Sequence, residues 1–253
     1  MSQPERRMRA RLSRSAFLLP SSFTVGNLFL GFYAVVTALG GRYERAAVCV
    51  IVAGILDNLD GRIARLTHTE SEFGKEFDSL ADFLTFGIAP AMVTYLWGLH
   101  ELLRIGYLVG FLYVVCAATR LARFNIQAGR VDSRYFVGMP SPAAAGTVVS
   151  FLLLAEWYGA QPWYPAAMAA LVAICGLLMV TTFRYPALKQ LDFGRPLTYR
   201  VALPIAALLL LVAFEPRFFL PTVATFYGLA GPWLWLKGRL VRRRLPPVAG
   251  SGA

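Results

Sequence analysis

Apolar residues fill this chain in long blocks, not at the two-residue period of a half-buried strand or along one stripe of a soluble helix. The blocks run Phe23–Leu39, Ala46–Ile63, Phe77–Trp97, Ile105–Ala122, Ala143–Tyr158, Pro165–Thr182, Leu197–Phe214 and Phe218–Trp235. Each approaches or reaches the roughly 17 to 25 residues that a helix needs to cross a bilayer. The pattern predicts an all-α integral membrane protein, a bundle of about eight transmembrane helices. An even count places both termini on one side.

Charge says which side. Lys and Arg collect in cytoplasmic segments of membrane proteins. Here Arg6, Arg7, Arg9, Arg11 and Arg14 precede the first block, and Arg120, Arg123, Arg130 and Arg134 surround the fourth connection. Arg184, Lys189, Arg195 and Arg200 occupy the sixth, and Lys237, Arg239, Arg242, Arg243 and Arg244 close the chain. The opposite face keeps Arg42, Arg45, Arg104 and Arg217, so both termini are expected to be cytoplasmic. Composition agrees: 57% of the 253 residues are hydrophobic and 15% charged, with a mean hydropathy of +0.55. The net charge of +11 abuts spans, which points to anionic lipid and not to nucleic acid. The first basic and apolar stretch reads as a retained anchor and not a signal peptide. Cys49, Cys116 and Cys175 fall inside spans with no metal-ligand spacing and read as small apolar side chains. No repeat divides the chain. The expected organisation is a basic segment over residues 1–20, a membrane domain over 21–236, and a basic, partly disordered tail over 237–253.

Against that background the second and third spans carry a set of acids. The sequence reads DNLDGRIAR from Asp57 to Arg65, eight further residues, then GKEFDSLAD from Gly74 to Asp82. Ionised carboxylates near membrane depth are costly and mark sites that hold cations, protons or charged substrates. At 3.6 residues per turn, Asp57, Asp60, Gly61 and Ala64 share one stripe, and Asp78 and Asp82 stack one turn apart. A short connection makes the two helices antiparallel neighbours, so the four carboxylates converge. Their repulsion calls for cations, and oxygen-only ligands suit Mg²⁺ or Mn²⁺. A metal pair bridged by carboxylates can hold a pyrophosphate and stabilise charge on attacking and leaving oxygens. Gly61, Ala64 and Gly74 allow close backbone approach, and Arg65 offers a fork for phosphate. Taken singly, such small residues would be ordinary helix-packing positions. His68 and His100 lie alone in connections and read as surface residues.

The spacing Asp57-x-x-Asp60-Gly61-x-x-Ala64-Arg65, eight residues, Gly74-x-x-x-Asp78-x-x-x-Asp82 resembles the signature of the CDP-alcohol phosphatidyltransferase family at every position. The resemblance implies a helical membrane enzyme, usually dimeric, that moves a phosphatidyl or substituted phosphoryl group from a CDP-linked donor to an alcohol and releases CMP. It implies that Asp57, Asp60 and Asp78 carry two divalent metals, Mg²⁺ or Mn²⁺, and that Asp82 is metal-adjacent and the general base. Gly61, Ala64 and Gly74 would contact the cytidine side and Arg65 phosphate. Thr24 and Asn27, polar residues of the first span, are further donor-site candidates; they could equally bond a neighbouring helix.

Five further blocks, LPSSFTVGNLFLGF, FDSLADFLTFGIAPA, ATRLARFN, VGMPSPAAAG and FRYPALKQLD, resemble the membrane-embedded phosphatidylserine synthase branch of that family. They imply CDP-diacylglycerol and L-serine as substrates, a homodimer in the bilayer, and a prokaryotic inner-membrane location with the site facing the cytoplasm. Serine needs a partner for its carboxylate, and Arg120 and Arg123, one turn apart beside Asn125, are the candidates. They are also where positive-inside arginines are expected. A sibling enzyme using glycerol phosphate or inositol phosphate, an ion-coupled transporter, and an inactive scaffold remain as alternatives.

Overall fold

The computed structural model describes residues 22–66, 72–127, 135–159, 161–186 and 214–244, together with Leu203, Ala207, Leu210 and Leu211. Helix α1 (Ser22–Leu39) stops where Gly41 takes a left-handed φ of 70°. The Gly41 N–H donates to the Ala38 carbonyl at 2.9 Å and the Arg42 N–H to that of Thr37 at 3.0 Å. This paired closure satisfies the last carbonyls and favours glycine at the left-handed position. Helix α2 (Tyr43–Leu66) follows at once.

Helix α3 (Glu72–Trp97) begins five residues before the apolar block because Glu72, Lys75 and Glu76 extend it into the polar region. The Tyr43 hydroxyl, at the start of α2, donates to the Leu96 carbonyl near the end of α3 at 2.8 Å, so the two helices run antiparallel. A π-helical stretch, Phe83–Ile88, interrupts α3 directly after Asp82. A 3₁₀ turn at Leu99–Leu102 leads into α4 (Arg104–Gln127).

Helices α5 (Ser141–Tyr158), α6 (Tyr164–Val180) and α7 (Pro216–Arg244) complete the bundle. Helix α4 packs on α6, and α5 packs on α2, α6 and α7. The centre is lined by small side chains, among them Ala34, Ala46, Ala47, Ala117, Ala144 and Ala145, which let backbones approach closely where lipid supplies no hydrophobic drive. Large apolar side chains such as Phe29, Phe32, Phe111, Ile174 and Phe226 point outward. That inversion suits a hydrocarbon surrounding.

Among the described residues α1, α3 and α4 are long and apolar enough to cross a membrane, and α6 is a shorter apolar helix. The protein is an integral membrane protein. Of the remaining expected spans, Leu197–Phe214 lies outside the described residues apart from five helical positions. The basic N-terminal segment and the end of the tail lie outside them as well.

One element was not anticipated. The connection after α4 and the one after α6 form an antiparallel ribbon, β1 (Tyr135–Val137) with β2 (Arg184–Pro186), in which Phe136 faces Tyr185. Three-residue strands carry too little pattern to be read from sequence.

Candidate active site

The antiparallel pairing of α2 and α3 brings Asp57, in the second half of α2, to Asp78 and Asp82, in the first half of α3. One carboxylate oxygen from each lies within 4.8 Å of the other two. All three side chains are partly buried. Asp60, Ala64 and Arg65 continue α2, and their side chains lie outside the described residues. Gly61 on α2 and Gly74 on α3 are partly buried on the same two helices.

Helix α1 supplies the third wall. Asn27, fully buried, donates from Nδ2 to Oδ1 of Asp82 at 3.2 Å. Thr24, one turn earlier, is buried on the same helix. The Thr85 hydroxyl, inside the π-helical stretch, donates to the Asn27 carbonyl at 3.1 Å. The two helices meet so closely at Gly31 that a Cβ there would stand 2.9 Å from the Thr85 Cα. Only glycine fits without moving a backbone.

Helix α4 supplies the cation. Arg120 is buried and donates from Nη1 to the Ser141 hydroxyl at the start of α5, 2.9 Å away. Its guanidinium carbon lies 5.3 Å from the centre of the Phe124 ring. Its charge acts on both Asp82 and Asp57. Arg123 has a different place: Nη2 donates to the Val180 carbonyl at 2.9 Å and Nη1 to that of Thr181 at 3.3 Å, closing the C-terminal end of α6. Asn125 is exposed and donates to the Ser79 hydroxyl of α3 at 3.0 Å. The three residues grouped by sequence as one carboxylate-binding set therefore divide, with Arg120 in electrostatic reach of Asp82 and Asp57 and the other two in helix contacts.

Cys116 and Cys175 are buried free thiols, as expected for small apolar side chains inside spans, whereas Cys49 is only partly buried. Ser141 and Thr85 were missed. Neither belongs to a spacing pattern, and both acquire their neighbours only when helices pack.

The donor set is suited to a hard divalent cation: three carboxylates converge, all their ligand atoms are oxygen, and one arginine is the facing cation. Residues 17–179 match the family model described as CDP-alcohol phosphatidyltransferase. The chain belongs to the CDP-alcohol phosphatidyltransferase family. That family is metal-dependent in general, and its matched region holds Asp57, Asp78, Asp82, Asn27 and Arg120, whereas β2 and α7 lie beyond it. A CDP-diacylglycerol–serine O-phosphatidyltransferase of Helicobacter pylori (strain J99) is 41% identical over 179 residues, 70% of this chain and 76% of that protein. The protein of the same description from H. pylori strain 26695 is 36% identical over 226 residues, covering 89% and 94% respectively. That of Mycobacterium leprae is 37% identical over 198 residues, covering 76% and 65%.

Proposed function

We propose that this phosphatidyltransferase moves the phosphatidyl group of CDP-diacylglycerol to the hydroxyl of L-serine, giving phosphatidylserine and CMP. The observation that carries the reading is the convergence of Asp57, Asp78 and Asp82, with buried Arg120 in electrostatic reach of Asp82 and Asp57. The names borne by the Helicobacter and Mycobacterium relatives support serine as the acceptor.

Asp57, Asp78 and, from its place in the motif, Asp60 would hold Mg²⁺ or Mn²⁺, with Asp82 at the edge of that set. Divalent ions there would neutralise the pyrophosphate and the charge that develops on its bridging oxygen. By their places in the motif, Gly61, Ala64 and Gly74 would contact the cytidine side and Arg65 would contact phosphate. Thr24, buried on α1, would line the donor side of the site.

Asp82 accepts the proton of the serine hydroxyl, whose oxygen forms a bond to the lipid-side phosphorus. The bond from that phosphorus to the CMP oxygen breaks, and CMP departs with the electron pair. Arg120 pairs with the serine carboxylate, one cation for one anion. Glycerol phosphate or inositol phosphate would bring a second negative charge to the same place. Arg123 and Asn125 support Arg120 from the same helix by fixing α4 to α6 and α3.

The enzyme works as a homodimer in a prokaryotic inner membrane. Eight spans with both termini cytoplasmic put the α2–α3 connection, and so the aspartates, on the cytoplasmic side, where serine and CMP exchange with water. The test is CMP release by purified protein with CDP-diacylglycerol and Mg²⁺ or Mn²⁺. L-serine, glycerol 3-phosphate and inositol phosphate are compared, with Asp82→Asn as control. Serine-dependent release lost in the variant supports the reading; release with another alcohol overturns the acceptor assignment.

A further inference from the structure

The contact between α1 and α3 holds more than packing requires. Asn27 and Thr85 are both fully buried, and they are joined in series. The Thr85 hydroxyl donates to the backbone carbonyl of Asn27 at 3.1 Å, and the Asn27 amide donates to Oδ1 of Asp82 at 3.2 Å. The close approach at Gly31 fixes the helix separation at which both bonds form. Oδ1 of Asn27, also buried, accepts no hydrogen bond among the described residues. Leaving a buried acceptor unsatisfied costs stability, which an apolar side chain of similar volume would avoid. A residue present only to glue two helices would not need that arrangement.

The π-helical stretch explains why the series can exist. Such insertions are rare and cluster at functional sites. This one starts immediately after Asp82 and contains Thr85, so the residues between them turn more widely than in an α-helix.

We infer that Asn27 and Thr85 are positioning residues for Asp82: α1 holds one carboxylate oxygen through Asn27, so fixing how the carboxylate meets the acceptor hydroxyl, and is itself locked in register by Thr85. The inference rests on the transfer reaction proposed above and adds to it the device that orients its base. It separates two roles for α1, since a donor-binding Asn27 would act on CDP-diacylglycerol affinity and a positioning Asn27 acts on turnover.

The test uses full-length detergent-purified protein bearing Asn27→Leu, Thr85→Val or Thr85→Ser. Three quantities are read: kcat and both KM values for CMP release, Mn²⁺ binding followed by electron paramagnetic resonance with Mn²⁺ alone, and the thermal midpoint. Loss of an outer-sphere orienting partner typically costs 10- to 100-fold, so Asn27→Leu is expected to lower kcat by about that factor. Both KM values and the Mn²⁺ dissociation constant should stay within about threefold, because a positioning Asn27 touches neither substrate nor metal and its loss misaligns the base without removing a ground-state binding contact. Thr85→Val should lower kcat about tenfold, as a small misplacement of a reacting group does, and Thr85→Ser, which keeps the hydroxyl, should restore it. Unchanged kcat, a rise in donor KM, parallel loss of Mn²⁺ binding, or failure of serine to rescue while the valine variant stays folded would each overturn the inference. Wild-type protein that releases no CMP with any acceptor would instead bring down the reaction on which it rests.

Discussion

The Tyr113 hydroxyl of α4 donates a hydrogen bond to the Phe86 carbonyl inside the π-helical stretch of α3, 3.1 Å away. Phe86 lies four residues before Pro90, which has no N–H to return to it. Tyr113 is fully buried and supplies the missing donor. The same device recurs where the Tyr185 hydroxyl of β2 donates at 3.0 Å to the Gly228 carbonyl, four residues before Pro232 of α7. In each case the helix next to a proline is repaired from a neighbouring element.

Tyr113→Phe should therefore destabilise the bundle by about 1–3 kcal/mol, the cost of a buried carbonyl left without a partner. The measurement is thermal unfolding in detergent. An unaltered midpoint would mean that the π-helical stretch holds its shape without α4.

Asp57→Asn and Asp78→Asn each remove one negative charge from the three converging carboxylates proposed to hold the metal. Loss of CMP release by more than about 100-fold is expected for either, exceeding what outer-sphere partners contribute. EDTA should abolish wild-type activity, and Mg²⁺ or Mn²⁺ should restore it. Turnover that persists in EDTA would contradict the assignment of the cluster.

Arg120→Leu should raise the serine KM by about 10- to 100-fold, the range expected for a hydrogen bond to a charged group. The KM for CDP-diacylglycerol should change much less. Arg120→Lys keeps the charge without the planar fork and should fall between. A serine KM that does not move in either variant would remove Arg120 from the acceptor site.

Arg123→Ala should behave differently, because its guanidinium closes α6 at Val180 and Thr181. A cation at a helix C-terminus contributes up to about 2 kcal/mol in favourable, partly buried geometry. The expected result is a lower thermal midpoint with an unchanged serine KM. A large rise in that KM at wild-type stability would assign Arg123 to substrate instead.

Sequence alone determined the membrane setting and the acidic cluster. Long apolar blocks are legible because a bilayer demands continuous hydrophobic length, and α1, α3 and α4 fall on three of them. Asp57, Asp78 and Asp82 are legible because fixed helical spacing puts them on two facing stripes, and the family signature follows from that spacing. Tertiary structure alone decided what surrounds them. Arg120 and Arg123 are chemically identical and one turn apart, yet one lies in electrostatic reach of Asp82 and Asp57 and the other at the end of α6. Which of the two a helix aims at its neighbour depends on how α4 is rotated against α3 and α6. Asn27, Thr85 and Ser141 gain their partners 55, 58 and 21 residues away. Local periodicity fixes which residues share a face, but a contact between faces of different helices is set by packing, where backbone separation at positions such as Gly31 decides which polar groups meet.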